Sequence, residues 1–320
     1  ALGGGSAMDV AKGVKFALAH GLTDICEAVA AGMRIEPEGK PTGIAHISIP
    51  TTAGTGSEVT NGAVIFNDNT GVKALLFAPY LDSDIALLDA QLTVGLPPAI
   101  TADTGMDALT HAVEAIVCPV SNPFTNGFCF SAVDHIFRAL PECVKNGRNV
   151  QAREEMLQAA CMATWALGNA VGAAPVHNCS HALGALYHIP HGRANGVLLP
   201  VVMEEFIEFY LPYAADLAKA FAVPLTTPEA TVRALWKDWV KLLKIGVKTG
   251  QMMTMDGLSK SAYDGAMASR ASSSVRLVCP AASATLPSVM RAAVRVSGAS
   301  MWFLSSRSSS ANACCRSVIC

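Results

Sequence analysis

The Leu96-Pro97-Pro98 step divides this chain into two textures, and any fold assigned to it has to respect the change. A proline pair ends a strand or helix and suits the first turn of a new helix. Before it, short apolar runs are mixed with helical patterns. Ile44–Ile49 ends at Pro50, and Ala63–Phe66 and Ile85–Leu88 are alike, each bounded by Asn, Asp or Gly turn signals; they read as buried strands. Met8–Ala19 and Thr23–Gly32 carry helical spacing. Strands mixed with helices imply a layered α/β unit. After the prolines, Thr101–Val117, Asn126–Leu140, Gln151–Gly172 and Asn178–Tyr187 repeat apolar residues at helical spacing, and strand signals almost vanish. The expected architecture is a partial α/β nucleotide-binding domain over 1–96 followed by an all-α domain over 97–258.

Composition removes several functional classes. The 320 residues carry 23 basic and 25 acidic side chains, a formal net charge of −2, which argues against nucleic acid as a partner. With 51% hydrophobic and 15% charged residues, the chain has material for a core and too little charge for general disorder. No apolar run approaches the ~18 residues of a membrane span, and Gly196–Met203 is interrupted by Pro200. The ten cysteines form no regular CxxC framework, so reduced thiols and a cytoplasmic location are expected. The segment 259–320 is rich in Ser and Arg, with Asp264 its one acid, and is expected to be disordered or non-native.

Three clusters carry possible chemistry. Gly3-Gly4-Gly5-Ser6 leads into Ala7-Met8-Asp9-Val10-Ala11-Lys12. Ser6 fits an N-cap, Asp9 an acidic variant of the capping box, and the helix N-terminus beyond the glycines suits a pyrophosphate. It is not the GxGxxG pattern, and a tight turn into a capped helix uses the same residues without a ligand. Pro50–Glu58 follows a strand and offers the hydroxyls of Thr51, Thr52 and Thr55 where open α/β sheets bind ligands; by itself it also fits an ordinary Ser/Thr loop. In the third cluster, Asp107 and His111 are spaced i, i+4, as are His177 and His181, and His191 sits in the turn-like Pro190-His191-Gly192. On helices each pair shares one face. One carboxylate among imidazoles suits Fe(II) or Zn(II) and not Mg or Ca. His20, His46, His135 and His188 lack such partners, His188 being the ambiguous one.

Taken in order, Gly3–Lys12, Pro50–Glu58, Gly105–Glu114 and His177–Pro200 resemble the iron-containing (group III) alcohol dehydrogenases of the dehydroquinate-synthase-like fold, over residues 1 to about 240. The resemblance implies Asp107, His111, His177 and His191 as metal ligands and His181 as a catalytic histidine beside nicotinamide and substrate. It implies Gly4, Gly5, Ser6 and Asp9 at the pyrophosphate turn, with Thr51, Thr52, Thr55 and Lys73 as further cofactor contacts. The implied activity is a metal-dependent, NAD- or NADP-linked interconversion of a small alcohol with its aldehyde or ketone, by a homo-oligomer. Other enzymes of the fold, such as glycerol dehydrogenase, or a truncated non-catalytic metal-binding product, are the alternatives. Family members carry strands before the glycine motif, and this chain begins at Ala1 almost on the motif. The expectation is therefore N-terminal truncation and weak cofactor binding by these residues alone.

Overall fold

The computed structural model describes residues 1–36, 38–39, 41–170 and 174–235. The end of the expected helical domain, 236–258, and the Ser/Arg-rich segment 259–320 lie outside the described residues. No helix among the described residues is long and apolar enough to cross a membrane.

The first part is α/β, as the strand–helix mixture implies. Strand β1 (Leu2–Gly3), helix α1 (Gly5–His20), helix α2 (Ile25–Ala28), strand β2 (Met33–Ile35) and strand β3 (Ile47–Pro50) are followed by β4 (Gly62–Asn67), β5 (Val72–Phe77) and β6 (Ile85–Ala86). One sheet has the order β1-β3-β6, all parallel; the other has the order β2-β5-β4, with β2 parallel and β4 antiparallel to β5. Phe16 and Val29 pack with Ala63, Ala74, Leu76 and Leu81 between α1 and the second sheet. Several boundaries differ from expectation. The Ile44–Ile49 run becomes strand only from Ile47, because His46 is tied at both ends to Asp84: its N–H donates to Oδ2 (2.7 Å) and its C=O accepts from the Asp84 N–H (2.8 Å). The Thr23–Gly32 pattern yields only the short α2, since Gly32 (φ 83°) turns the chain into β2.

The expected cap of α1 is also corrected. The N-cap is Gly4, with no side-chain cap bond, and exposed Ser6 lies inside the first turn. Asp9 faces sideways, accepting from Ser57 Oγ (2.7 Å) and the Val64 N–H (3.0 Å). It joins α1 to the segment after β3 instead of closing a capping box.

The second part is helical: α3 (Pro98–Val117), α4 (Pro123–Lys145), α5 (Val150–Asn169), α6 (Pro175–Tyr187), α7 (His191–Glu205), α8 (Ile207–Tyr210), α9 (Ala214–Ala220) and a helical stretch over 228–235. Pro98 opens α3, where a missing N–H costs nothing. Asn122 caps α4 with a reciprocal bond to Thr125. Helix α3 is buried almost throughout, packed by α4, α5 and α7, and its Met106, Leu109, Val113 and Ile116 meet Val133, Ile136, Leu157 and Leu198. Each such side chain contributes about 1.5–3 kcal/mol on burial. Arg153 of α5, 2% exposed, fastens this domain to the proline junction: it donates to Thr101 Oγ1 (2.8 Å), Leu96 O (3.3 Å) and Gly147 O (3.0 Å). His191, expected in a turn, is instead the first residue of α7, with Pro190 as N-cap. A proline before a helix and a glycine inside its first turn resemble a turn in sequence.

Candidate metal centre

Helix α3 supplies Asp107 and His111 one turn apart, α6 supplies His177 and His181, and α7 supplies His191 from its first turn. These segments meet at the Asp107 carboxylate. Its Oδ1 lies 3.5 Å from His191 Nε2, 3.6 Å from His177 Nε2 and 4.0 Å from His111 Nε2. Ligand atoms of Asp107, His177 and His191 all lie within 4.8 Å of one another. His111 lies outside that trio and stacks on His177, ring centroids 4.4 Å apart and planes 18° from parallel.

The approach of α7 to α3 depends on Gly192. A Cβ there would stand 1.9 Å from Asp103 O and 3.2 Å from Asp107 Cβ. Arg193 then makes a two-pronged pair with Asp103, at 2.9 and 3.3 Å.

The other nitrogen of each ring is engaged. His177 Nδ1 is bonded to Glu114 Oε2, His111 Nδ1 is 3.1 Å from Thr164 Oγ1, and His191 Nδ1 is 2.9 Å from Ser180 Oγ. Ser180 gives its proton to His191 O (3.0 Å), so it accepts from Nδ1–H and leaves Nε2 as a hydrogen-bond acceptor. Asn195 Nδ2 donates to Asp107 Oδ1 (2.7 Å) and lies 3.2 Å from His191 Nε2. Sequence reading passed over Glu114, Thr164, Ser180 and Asn195. Glu114 alone left a signal: it falls two turns after Asp107, on the same face of the helix.

Burial decides the charges here. It pushes His111 down to about 3 and His191 to about 4, against the pull of Asp107. For His177 burial is overcome by Glu114 and Asp107, which lift it to about 9. Burial of Asp107 is likewise outweighed by His111, His191 and His177, which hold it well below the usual carboxylate range. His177 Nε2 is buried without a hydrogen-bond partner. An ionised carboxylate facing two neutral imidazoles, with His177 giving up its Nε2 proton on binding, fits a divalent N/O-binding cation.

His181 lies beyond this group, its ring stacked on His191 at 4.7 Å and 27°. Burial, with His191, His177 and Lys73, pushes it well below the usual histidine value. His188 is separate: exposed, it ends α6 in a left-handed conformation (φ 55°).

Toward the sheet, Gly4 stands against Thr52 and Gly5 against Thr55. A Cβ on Gly5 would lie 2.7 Å from Thr55 Cγ2, and one on Gly4 3.3 Å from Thr52 Oγ1. Thr52 Oγ1 is buried without a partner, and the Thr51 N–H donates to Gly3 O (2.9 Å). Gly54 presses this loop onto α3, where a Cβ would meet Thr104 O at 2.5 Å. The loop thus joins the glycine turn to the helix carrying Asp107. Lys73 of β5 reaches α6, its Nζ 3.0 Å from where a Gly184 Cβ would stand; burial lowers its pKa and Asp107 partly restores it. Ser6 and Asp9 differ from the other expected cofactor residues: Ser6 is exposed in the first turn, and both carboxylate oxygens of Asp9 are bonded within the protein.

Lys12, the last residue of the Gly3–Lys12 motif, is wholly buried. Its Nζ donates to Ser57 O (2.6 Å), Ser57 Oγ (2.8 Å), Gly62 O (2.8 Å) and Thr60 Oγ1 (3.0 Å). It ties α1 to the end of the Thr-rich loop.

A sheet portion is thus joined to a helical domain that carries the His-rich cluster. Residues 101–274 match the C-terminal part of the Fe-containing alcohol dehydrogenase family, and residues 1–90 match the iron-containing alcohol dehydrogenase description. The chain belongs to the iron-containing alcohol dehydrogenase family. Among curated relatives, the probable alcohol dehydrogenase EutG of Escherichia coli (strain K12) is 44% identical over 204 residues, covering 64% of this chain and 50% of its own length. Among solved structures, a 1,3-propanediol oxidoreductase superposes with a TM-score of 0.74 at 30% identity, over 92% of this chain and 75% of that one. A sulfoacetaldehyde reductase from Bifidobacterium kashiwanohense in complex with NAD+ gives 0.67 at 28%, over 93% and 75%. The chain spans about half the length of the curated relatives it matches first.

Proposed function

We propose that this chain is part of a metal-dependent, NAD- or NADP-linked alcohol dehydrogenase that interconverts a small alcohol with its aldehyde or ketone. The observation that carries the reading is the convergence of three imidazole Nε2 atoms on Asp107 Oδ1 while each Nδ1 is held from behind. Asp107, His111, His177 and His191 would hold Fe(II) or Zn(II). Such a cation, when bound, supplies Lewis-acid polarisation of the substrate oxygen. The nicotinamide cofactor carries the hydride.

The chain's own residues bind and orient. Gly4 and Gly5 let the backbone approach a pyrophosphate at the α1 N-terminus, and Thr52 Oγ1 is free to donate to it. Thr51 and Thr55 flank that position, and Lys73 brings a positive charge from the sheet toward the helical side. His181, held neutral by burial and by its charged neighbours, is placed to accept the proton of the substrate hydroxyl on a ring nitrogen. Ser6 and Asp9 are assigned to the turn and its anchoring. The free thiols of Cys26, Cys129, Cys143, Cys161 and Cys179 suit a cytoplasmic setting. The exposed Val10, Val14 and Leu18 on one side of α1 suit burial against a second copy in a homo-oligomer.

The test is NADH titration by fluorescence and alcohol-dependent NAD+ reduction, on Fe(II)-loaded protein and on its Asp107→Asn variant. Weak but saturable NADH binding is expected of these residues alone, with a low turnover that disappears in the variant. Stoichiometric metal without NADH binding or turnover would overturn the enzymatic reading and leave a metal-binding protein.

A further inference from the structure

We propose that Glu114 is the positioning residue that orients His177 and sets the affinity of the centre for its cation; this rests on the metal-centre reading above. Glu114 is fully buried on α3. Its Oε1 accepts from the Val176 N–H (2.7 Å) and its Oε2 bonds His177 Nδ1. One carboxylate therefore fixes both the backbone entering α6 and the ring of the next residue.

The other two imidazoles are held at Nδ1 by hydroxyls, Thr164 for His111 and Ser180 for His191. Glu114 is the charged member of the three, and charge changes what it does. Accepting Nδ1–H turns Nε2 toward Asp107 as the nitrogen that gives up its proton to a cation, and a carboxylate behind an imidazole raises its strength as a ligand. The second negative charge also matters in a dry pocket. A dication beside Asp107 alone leaves one uncompensated positive charge, and burying it is costly; with Glu114 two carboxylates balance it. His177 Nε2, buried and unpaired, is the atom this arrangement presents.

A purely structural role for Glu114, as an anchor of the α6 N-terminus, would affect folding but not the ligand field. The experiment separates the two with Glu114→Gln, which keeps size and loses charge, and Glu114→Asp, which keeps charge. Zn(II) and Co(II) affinities are measured by competition with a chromophoric chelator. Co(II) d–d absorption is recorded for each loaded protein, and thermal unfolding for each metal-free protein. Glu114→Gln is expected to bind roughly 10–100-fold more weakly with altered d–d bands, and Glu114→Asp to bind more tightly than Glu114→Gln. Wild-type affinity and spectrum in Glu114→Gln would overturn the proposal. So would equal affinities of the two variants, a comparison that holds even if the Gln variant folds only with metal. Asp107→Asn is run alongside: a wild-type protein with no cation affinity overturns the metal centre itself, and this role with it.

Discussion

Gly192→Ala should damage the fold and the metal centre together. The new methyl would stand 1.9 Å from Asp103 O and 3.2 Å from Asp107 Cβ, where about 3.5 Å is needed for uncompressed contact. The start of α7 must therefore move off α3 by more than ~1 Å. Overpacking of this kind costs about 1–3 kcal/mol. The same displacement loosens the buried Asn195–Asp107 bond and the Asp103–Arg193 pair, for which charged hydrogen bonds of about 1.5–3 kcal/mol set the scale. A total loss of roughly 2.5–6 kcal/mol corresponds to a fall in Tm of roughly 5–24 °C for a domain of this size. His191 is the neighbouring residue, and metal–ligand distances tolerate only ~0.2 Å, so cation affinity should fall at least roughly tenfold. Thermal unfolding of the metal-free protein and chelator competition measure the two effects. Gly127→Ala is the control of opposite sign: that glycine lies exposed inside α4 with nothing within 4 Å of a Cβ, and alanine there should stabilise by about 0.5–1 kcal/mol. A Gly192→Ala protein with wild-type Tm and affinity would refute the α3–α7 packing described here.

Lys12→Met should cost about 3–5 kcal/mol, because it strands buried acceptors and the Asp9 carboxylate; urea unfolding with no loss would count against the clasp. Burial lowers Lys12 to about 8, against the raising influence of Asp9 and Glu58, while an unfolded lysine titrates near ~10.4. Between those values the unfolded state binds more protons, so this group's contribution to stability should rise with pH from about 8 to ~10.4. The rise should be absent from Lys12→Met, and parallel pH–stability curves for the two proteins would refute it. In protein that turns over, His181→Ala should keep its metal and lose roughly 10²–10⁴ in rate; loss of the metal with the activity would make His181 a ligand instead.

The helix start at Pro98 and the long helices after it were readable because their periodicity is local, and proline leaves a visible mark at a helix start. The pairs Asp107/His111 and His177/His181 were readable because two i, i+4 spacings coincide with rare residue types, whereas the choice of His191 over His181 as a proposed ligand rests on the family resemblance. That they meet could not be read from spacing. It depends on Gly192 allowing α7 against α3, and His191 accordingly looked like a turn residue. The short strands were placed less well: β3 starts late because Asp84, far along the chain, binds the backbone of His46. Glu114, Thr164, Ser180 and Asn195 act through contacts between different helices, which no local pattern records. Asp9 and Lys12 fitted a capping and cofactor motif in sequence, yet their polar atoms turn inward to Ser57, Val64 and Gly62.

The most direct measurement is elemental analysis of the purified protein after Fe(II) or Zn(II) loading, comparing wild type with His177→Ala, His191→Ala and His188→Ala. One equivalent of metal is expected in wild type and in His188→Ala, whose side chain is exposed at the end of α6. His177→Ala and His191→Ala should each lose it. Full occupancy in either of those two variants would contradict a centre built on Asp107, His111, His177 and His191.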